Sequence, residues 1–137
     1  MTLKELSQLY YLNREIEMDK ERLAEIQQKA YSLSGPNYSG MPKGSSTMKG
    51  AAYEKYAAEI ADLEAIISAK QIQCIHERNR LERYIADIPD CLTRMIFTYR
   101  FINGLPWLQV SFCVGGGNTE DSVKKICYRY IDKEAEI

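Results

Sequence analysis

The side chains best suited to binding chemistry lie near the C-terminal end of the sequence, where cations follow small polar residues. Lys124, Lys125 and Arg129 fall within two helical turns, and ammonium and guanidinium groups at that spacing can contact phosphate oxygens or guanine edges. Amide and hydroxyl side chains nearby can bind the same groups. The candidate contact residues are Asn118, Thr119, Ser122, Lys124, Lys125 and Arg129. The alternative is that the cations form only the solvated face of a helical bundle.

Three short helices are predicted to position these residues, in a bundle that covers residues 89–137. The first helix spans residues 91–103, with Asp90 as its N-cap and Gly104 as its C-terminal stop. A second helix begins at Pro106 and runs through Val110. A turn at residues 115–118 holds three glycines and an asparagine, and the third helix then runs from Thr119 to about residue 133.

Apolar spacing predicts which faces of these helices form the core. Asn118 and Asp121 have the spacing of a capping box for the third helix, and Arg100 is expected to pair with an acid inside the bundle. Trp107 is expected to be a core anchor, and stacking on a base is the less favoured alternative. The predicted core residues are Leu92, Met95, Ile96, Tyr99 and Ile102 in the first helix, Trp107 and Val110 in the second, and Val123, Ile126, Cys127 and Tyr130 in the third.

The first 88 residues predict a long, coiled-coil-like helical hairpin. Residues 2–31 and 51–88 each carry an apolar stripe with a three-four spacing, interrupted by Asp19 in the first helix and by Lys70 and Glu77 in the second. Residues 34–50 are rich in Gly, Ser and Pro and predict a flexible loop. The two helices can pair with each other as an antiparallel hairpin or with a second subunit as a homodimer. Pro89 ends the second helix, which places a domain boundary near residue 88.

Composition limits the classes of function that the chain can have. Its 137 residues carry a net charge of −1, so it cannot coat nucleic acid through bulk positive charge, and any DNA contact must come from a local patch. The apolar runs are shorter than the roughly 18 residues that a membrane span requires. No signal peptide is recognisable at the N-terminus. We therefore expect a cytoplasmic protein with no membrane partner.

The cysteines and the single histidine do not have the spacing of a metal site. Cys74, Cys91, Cys113 and Cys127 form no Cys-x-x-Cys pair, and His76 has no matching ligand pair. The glycine triplet lacks the preceding strand and the lysine of a phosphate-binding loop. The sequence therefore predicts no metal, no cofactor and no catalytic residues, and an enzyme is not expected.

Two runs of sequence resemble known DNA-binding proteins. Residues 99–110, Tyr-Arg-Phe-Ile-Asn-Gly-Leu-Pro-Trp-Leu-Gln-Val, resemble the start of region four of bacterial sigma factors. Residues 114–131 are similar to a family of small phage and prophage proteins that join a helical hairpin to a sigma-region-four-like helix-turn-helix. Pro106 stands where sigma factors usually have a capping Ser or Thr, and the glycine turn is longer than the corresponding turn of sigma factors.

The resemblance implies a transcription regulator that reads a promoter in double-stranded DNA with its third helix in the major groove. It also implies RNA polymerase as a protein partner. The alternative function is a protein-interaction or phage assembly factor, such as a DNA-packaging subunit, in which the helix-turn-helix is a folding or recognition module. A ring-sized oligomer would favour that alternative.

Overall fold

The computed structural model describes residues 1–34 and 44–136, and every regular element in these residues is a helix. The predicted all-α fold class is therefore confirmed. No helix in this part of the chain combines the length and the apolar composition needed to cross a membrane. The α-helices are α1 (Leu3–Leu6), α2 (Gln8–Ser34), α3 (Gly44–Ala86), α4 (Cys91–Phe97), α5 (Trp107–Val114) and α6 (Glu120–Ala135). A π-helical turn, Thr98–Ile102, directly continues α4.

The predicted first helix is divided at Ser7 into α1 and α2. The Ser7 hydroxyl donates a hydrogen bond to the Leu3 carbonyl at 2.8 Å, while the Ser7 amide donates to the same carbonyl at 3.0 Å. Serine side chains that bond back to the preceding turn compete with helical hydrogen bonds and disturb the helix locally. The interruption is slight, because the Tyr11 amide still donates to the Ser7 carbonyl at 3.3 Å.

Helix α3 begins at Gly44, seven residues before the predicted start at Ala51. The backbone of residues 44–50, like that of Ser34, is therefore helical where the sequence predicted a loop. Extending an existing helix adds one hydrogen bond per residue without a new nucleation step, so weak helix formers can be included at its end. Residues 35–43 of the predicted loop lie outside the described residues.

The chain contains two compact units. The first comprises residues 1–13 and 73–137, and the second comprises residues 14–72. Compact packing units are not the same as independently folding domains, so the predicted division into residues 1–88 and 89–137 remains a prediction. The core of the first unit consists of buried side chains from α1 to α6: Leu6, Leu9, Leu81, Ile85, Ile88, Ile96, Phe97, Phe101, Trp107, Val110, Val123, Cys127 and Ile131.

In the second unit, an ion pair joins the charged residues that interrupt the two apolar stripes. The Lys70 ammonium lies 2.6 Å from an Asp19 carboxylate oxygen and 3.4 Å from one of Glu15. The hydrogen bonds from Lys70 to Asp19 and, secondly, to Glu15 raise the pKa of Lys70. Burial has the opposite effect on this pKa but is outweighed. The apolar positions of the same stripes are buried at Ile16, Ala30, Leu63 and Ile67.

The start of α4 is capped as the sequence predicts. The Asp90 carboxylate accepts hydrogen bonds from the Thr93 amide at 3.0 Å and from the Thr93 hydroxyl at 2.7 Å. Arg94 donates to the Ile88 carbonyl at 2.7 Å and to the Pro89 carbonyl at 3.1 Å, so the turn between α3 and α4 is held from both sides. The Thr93 hydrogen bonds lower the pKa of Asp90.

This lowered pKa predicts an acid-dependent contribution to stability. A carboxyl whose pKa is lower in the folded state than in the unfolded state stabilises the fold above its unfolded pKa of about 4, and this contribution is lost as the pH falls through the folded value. Asp90→Asn keeps an amide oxygen that can cap the helix but removes the titration. We expect the urea midpoint of the variant to fall less steeply than that of the wild type on acidification below about pH 4. Parallel curves for the two proteins would contradict the assignment.

The end of the helix predicted over residues 91–103 departs from regular α-helix. The Asn103 amide donates to the Thr98 carbonyl at 3.0 Å, which is the i to i+5 bond of a π-helical turn, and Gly104 then ends the helix with φ of +67°. The predicted core face is confirmed except at Met95: Ile96 is buried, and Leu92, Tyr99 and Ile102 are half-buried against the core. Phe97 and Phe101, which were not predicted, are buried as well.

Candidate nucleic-acid interface

Helix α6 has one apolar face and one solvent-exposed face. Val123, Cys127 and Ile131 are buried, and Ile126 and Tyr130 are half-buried against the core, which confirms the predicted core face. The face turned away from the core exposes Lys125, Tyr128 and Arg129. The amphipathic pattern of α6 therefore determines which of its side chains are available for binding.

Helix α5 is longer than predicted, because it continues four residues beyond Val110 to Val114. Trp107, Val110 and Ser111 are buried, while Leu108 and Phe112 are 51% and 74% exposed. The sequence analysis missed these two exposed apolar residues. Had the helix been predicted to extend to Val114, the exposure of both residues would have followed, because residues 108 and 112 lie one turn apart on the face opposite Val110.

Trp107 is buried, and the side chains of Arg100 and Tyr128 contact its ring. The Arg100 guanidinium lies 4.6 Å from the centre of the indole ring, and the Tyr128 ring centre lies 5.9 Å from it. Arg100 also donates a hydrogen bond to the Leu105 carbonyl at 3.0 Å. The predicted acid partner of Arg100 is therefore wrong, because an aromatic face and a carbonyl satisfy the cation instead. The prediction that Trp107 is a core anchor is confirmed.

The turn between α5 and α6 depends on glycine. Gly115, Gly116 and Gly117 have φ of +65°, +65° and +76°, in the left-handed region that side-chain-bearing residues rarely adopt. The Asn118 amide and side-chain nitrogen both donate to the Gly115 carbonyl, at 3.2 and 2.8 Å. Asn118 thus closes the turn and fixes the direction in which α6 leaves it.

The N-terminus of α6 is capped by Thr119 and Ser122. The Thr119 hydroxyl accepts a hydrogen bond from the Ser122 amide at 3.2 Å, and the Ser122 hydroxyl accepts one from the Thr119 amide at 2.9 Å. The predicted capping box of Asn118 and Asp121 is therefore wrong by one residue. The reason is that the N-cap residue must have an extended backbone, and Thr119 has φ of −99° and ψ of 167°. The structure thus brings Asn118, Thr119 and Ser122 together, but it uses their side chains within the turn and cap.

Removing the Thr119 cap should weaken the fold. We expect Thr119→Ala to reduce the free energy of unfolding by about 1 kcal/mol, because the Ser122 amide at the start of α6 loses its side-chain acceptor. Thr119→Ser retains a hydroxyl and should cost only a fraction of this amount. Urea unfolding of both variants would measure the difference, and equal stabilities would show that the cap contributes nothing.

The three candidate cations on α6 have different surroundings. The Lys124 ammonium lies 3.3 Å from a Glu120 carboxylate oxygen, one turn earlier on the helix. Lys125 and Arg129 are exposed, and within residues 1–34 and 44–136 neither forms a hydrogen bond or an ion pair. They lie one helical turn apart, so their cationic groups can reach adjacent anionic groups of one ligand. Lys124 is therefore the least available of the three for binding a ligand.

Acidic residues also lie on the exposed surface of α6. Asp121 and Asp132 are both exposed, one turn before Lys125 and almost one turn after Arg129. Their carboxylates oppose the approach of a polyanion and reduce the local positive potential. The two free cations therefore form a small basic patch with acidic ends, and binding through it depends on where the phosphates lie.

Other chemistry in the first unit is restricted by burial and pairing. Burial raises the pKa of the Cys127 thiol to about 12, against the opposing effect of Arg100, so this thiol is protonated at neutral pH. A cavity of about 470 Å³ is bordered by Met95, Tyr99 and Ile102. Its charged residues already have partners, as Arg78 pairs with Glu82 at 3.1 Å. No cluster of three metal-binding side chains occurs among the described residues.

Comparison with known proteins adds no relative: no family model, curated protein or solved structure matches this chain.

Proposed function

We propose that this protein is a DNA-binding transcription regulator of the phage and prophage type, with α6 reading the major groove. The observation that carries the proposal is the pair of exposed cations, Lys125 and Arg129, one turn apart on α6 and without partners in the described part of the chain. Arginine and lysine contact phosphates and the O6 and N7 atoms of guanine. Such contacts require cations that are exposed and not already paired, and α6 has two of them on the face opposite its buried side chains.

We propose that α4 with its π-helical turn, α5 and α6 form a helix-turn-helix similar to region four of sigma factors. Helices α5 and α6 pack on each other and both contact α4. The glycine turn and the Thr119 cap direct the start of α6. In such motifs the N-terminal residues of the second helix contact base edges. Here Asn118, Thr119 and Ser122 occupy that place. Their backbone amides already donate within the turn and cap, so their side chains would contact DNA through the hydrogen-bonding capacity that the cap leaves over.

We also propose that α2 and α3 form an antiparallel hairpin. In the second unit Asp19 and Glu15 of α2 contact Lys70 of α3, and in the first unit the Cys74 thiol donates to the Asn13 side-chain oxygen at 3.4 Å. Also in the first unit, Arg80 donates to the Glu5 carbonyl at 3.4 Å. A later residue of α3 thus contacts an earlier residue of the N-terminal segment, which is the order that antiparallel helices require.

RNA polymerase is the protein partner that the sigma-like resemblance suggests. A chain with a net charge of −1 and a two-cation patch is expected to bind DNA weakly by itself. A polymerase that holds the protein beside its promoter would raise the effective concentration of the patch at the DNA. The proposal therefore predicts tighter promoter binding when polymerase is present.

Selection of binding sites from a random pool of duplex DNA, at physiological salt, tests this function directly. We expect one enriched motif, with each half-site matching one copy of α6. The selection is repeated with RNA polymerase added, because weak intrinsic affinity is expected. If neither selection enriches a motif above that of a Lys125→Ala, Arg129→Ala control, the proposed function is wrong.

A further inference from the structure

Helix α3 carries a second stripe, of uncharged and mostly apolar residues, that the core does not use. Besides the stripe that includes the buried Leu63, Ile67 and Leu81, a regular three-four spacing runs along another face of the helix. We call it the outer stripe; its members are all exposed and are Ala58, Ala61, Ala65, Ser68, Ile72, Ile75 and Asn79. This spacing corresponds to alternating a and d positions over three heptads, which is the pattern of a coiled-coil seam.

The exposure of the two isoleucines is the unusual feature of this stripe. Ile72 and Ile75 are 56% and 59% exposed, although each is large and apolar. No charged residue lies on the stripe itself, whereas Asp62, Glu64 and Arg78 lie beside it. A seam of apolar a and d positions with charged neighbours is stable when a second helix covers it.

We propose that the outer stripe binds the same stripe of a second copy of this chain, with the two α3 helices antiparallel. This interface does not depend on DNA binding and extends beyond the proposed function. A second copy is the proposed partner because the sizes and charges along the stripe complement those of an identical stripe. They do so only when the second helix runs in the opposite direction.

Size complementarity is the first argument for the antiparallel register. With the two-fold axis beside residue 70, Ile75 lies opposite Ala65 of the second copy, and Ile72 lies opposite Ser68 of the second copy. Each large side chain then faces a small one, which allows helices to approach closely without voids. The stripe places its small residues in one half and its large ones in the other. Reversal of one copy is therefore what brings them together.

Charge complementarity is the second argument. In the same register Glu64 lies beside Arg78 of the second copy, at the flanking positions of the seam. A parallel arrangement would instead place Arg78 beside Arg83 of the second copy, which is a repulsion between like charges. Arg78 presently pairs with Glu82 at 3.1 Å on the surface, and such exposed pairs are weak enough to exchange.

Sedimentation equilibrium of the full chain tests the interface. We expect a monomer–dimer equilibrium in which Ile72→Asp raises the dissociation constant at least about tenfold. Ile66→Asp is the matched control, because Ile66 is 47% exposed on the same helix but lies outside the outer stripe, and it should leave the constant unchanged. Far-UV circular dichroism would check that both variants remain helical. A wild-type chain that is monomeric at every concentration, or equal effects of the two variants, would overturn the proposal.

Cysteine cross-linking tests the register. In a background with Cys91 and Cys113 replaced by serine, Ala69→Cys lies next to the two-fold axis and should form a disulfide between copies. Ala58→Cys lies far from its counterpart in an antiparallel pair and should not. Stronger cross-linking at residue 58 than at residue 69 would indicate parallel helices, and equal cross-linking at both would indicate random collision; either result would overturn the register. Exchange of charges provides a second measurement: Glu64→Arg should weaken dimerisation, and adding Arg78→Glu should restore it. Failure of the double variant to recover would also contradict the register.

Discussion

Replacing both Lys125 and Arg129 with alanine is expected to reduce specific DNA affinity by about a hundredfold or more, if the proposed function is correct. A well-placed contact to a base edge contributes about 1–3 kcal/mol, and each phosphate contact adds a salt-dependent increment. Both side chains are exposed and form no ion pair in the described part of the chain, so their removal leaves no buried group without a partner. The free energy of unfolding should change by less than about 0.5 kcal/mol.

The matched control for this double variant is Lys124→Ala. Lys124 is on the same helix, but its ammonium already pairs with Glu120 at 3.3 Å. We expect its removal to weaken DNA binding much less than the loss of either free cation. Fluorescence anisotropy with the selected motif, measured at several salt concentrations, would show a shallower salt dependence for the double variant. Full affinity in the double variant would eliminate α6 as the reading helix.

Local signals in the sequence were sufficient to predict where most of the C-terminal helices begin and end. Asp90 caps α4, and Gly104 ends the helix that follows it. Both helix ends depend on the chemistry of one residue and its nearest neighbours along the chain, and these can be read from the sequence. The cap of α6 was misplaced by one residue because Asn118 and Thr119 are both good N-cap residues. Only the backbone conformation after the glycine turn decides between them.

Features that depend on packing could not be predicted in the same way. The burial of Phe97 depends on side chains from distant parts of the chain. Phe97 contacts Tyr84 of α3 and Tyr130 of α6, at ring-centre distances of 6.3 and 5.5 Å. Periodicity within residues 91–103 contains no information about these partners, so the predicted core face omitted Phe97.

Residues that break a pattern held more information than the prediction used. Asp19 and Lys70 were noted as separate interruptions of two apolar stripes, but the structure joins them in an ion pair of 2.6 Å. Two opposite charges at inward positions of helices that are expected to pair are candidates for contact, since a buried charge requires a partner. The same reasoning applies to the candidate site. Glu120 lies four residues before Lys124, and this spacing could have shown from sequence that Lys124 is the least available cation.

Phe97→Ala is expected to cause the largest loss of stability of any single change considered for this chain. Phe97 is fully buried at the centre of an aromatic cluster, and its ring centre lies 5.3 Å from that of Phe101. Removing the ring takes away its apolar contacts and leaves a cavity among side chains that cannot all move inward, which typically costs 3–5 kcal/mol, so we expect about 4 kcal/mol here. The Tyr84 hydroxyl, which donates to the Glu134 carboxylate, would lose the packing beneath its ring.

The control for this prediction is the same substitution at Phe112, which is 74% exposed on α5. Phe112→Ala removes the same atoms from solvent rather than from the core, so the free energy of unfolding should change by less than about 0.5 kcal/mol. The difference between the two variants therefore isolates burial from any effect of the residue type. Urea unfolding followed by circular dichroism would measure both. Similar losses at the two positions would mean that the aromatic cluster around Phe97 does not hold α3, α4 and α6 together in the first unit.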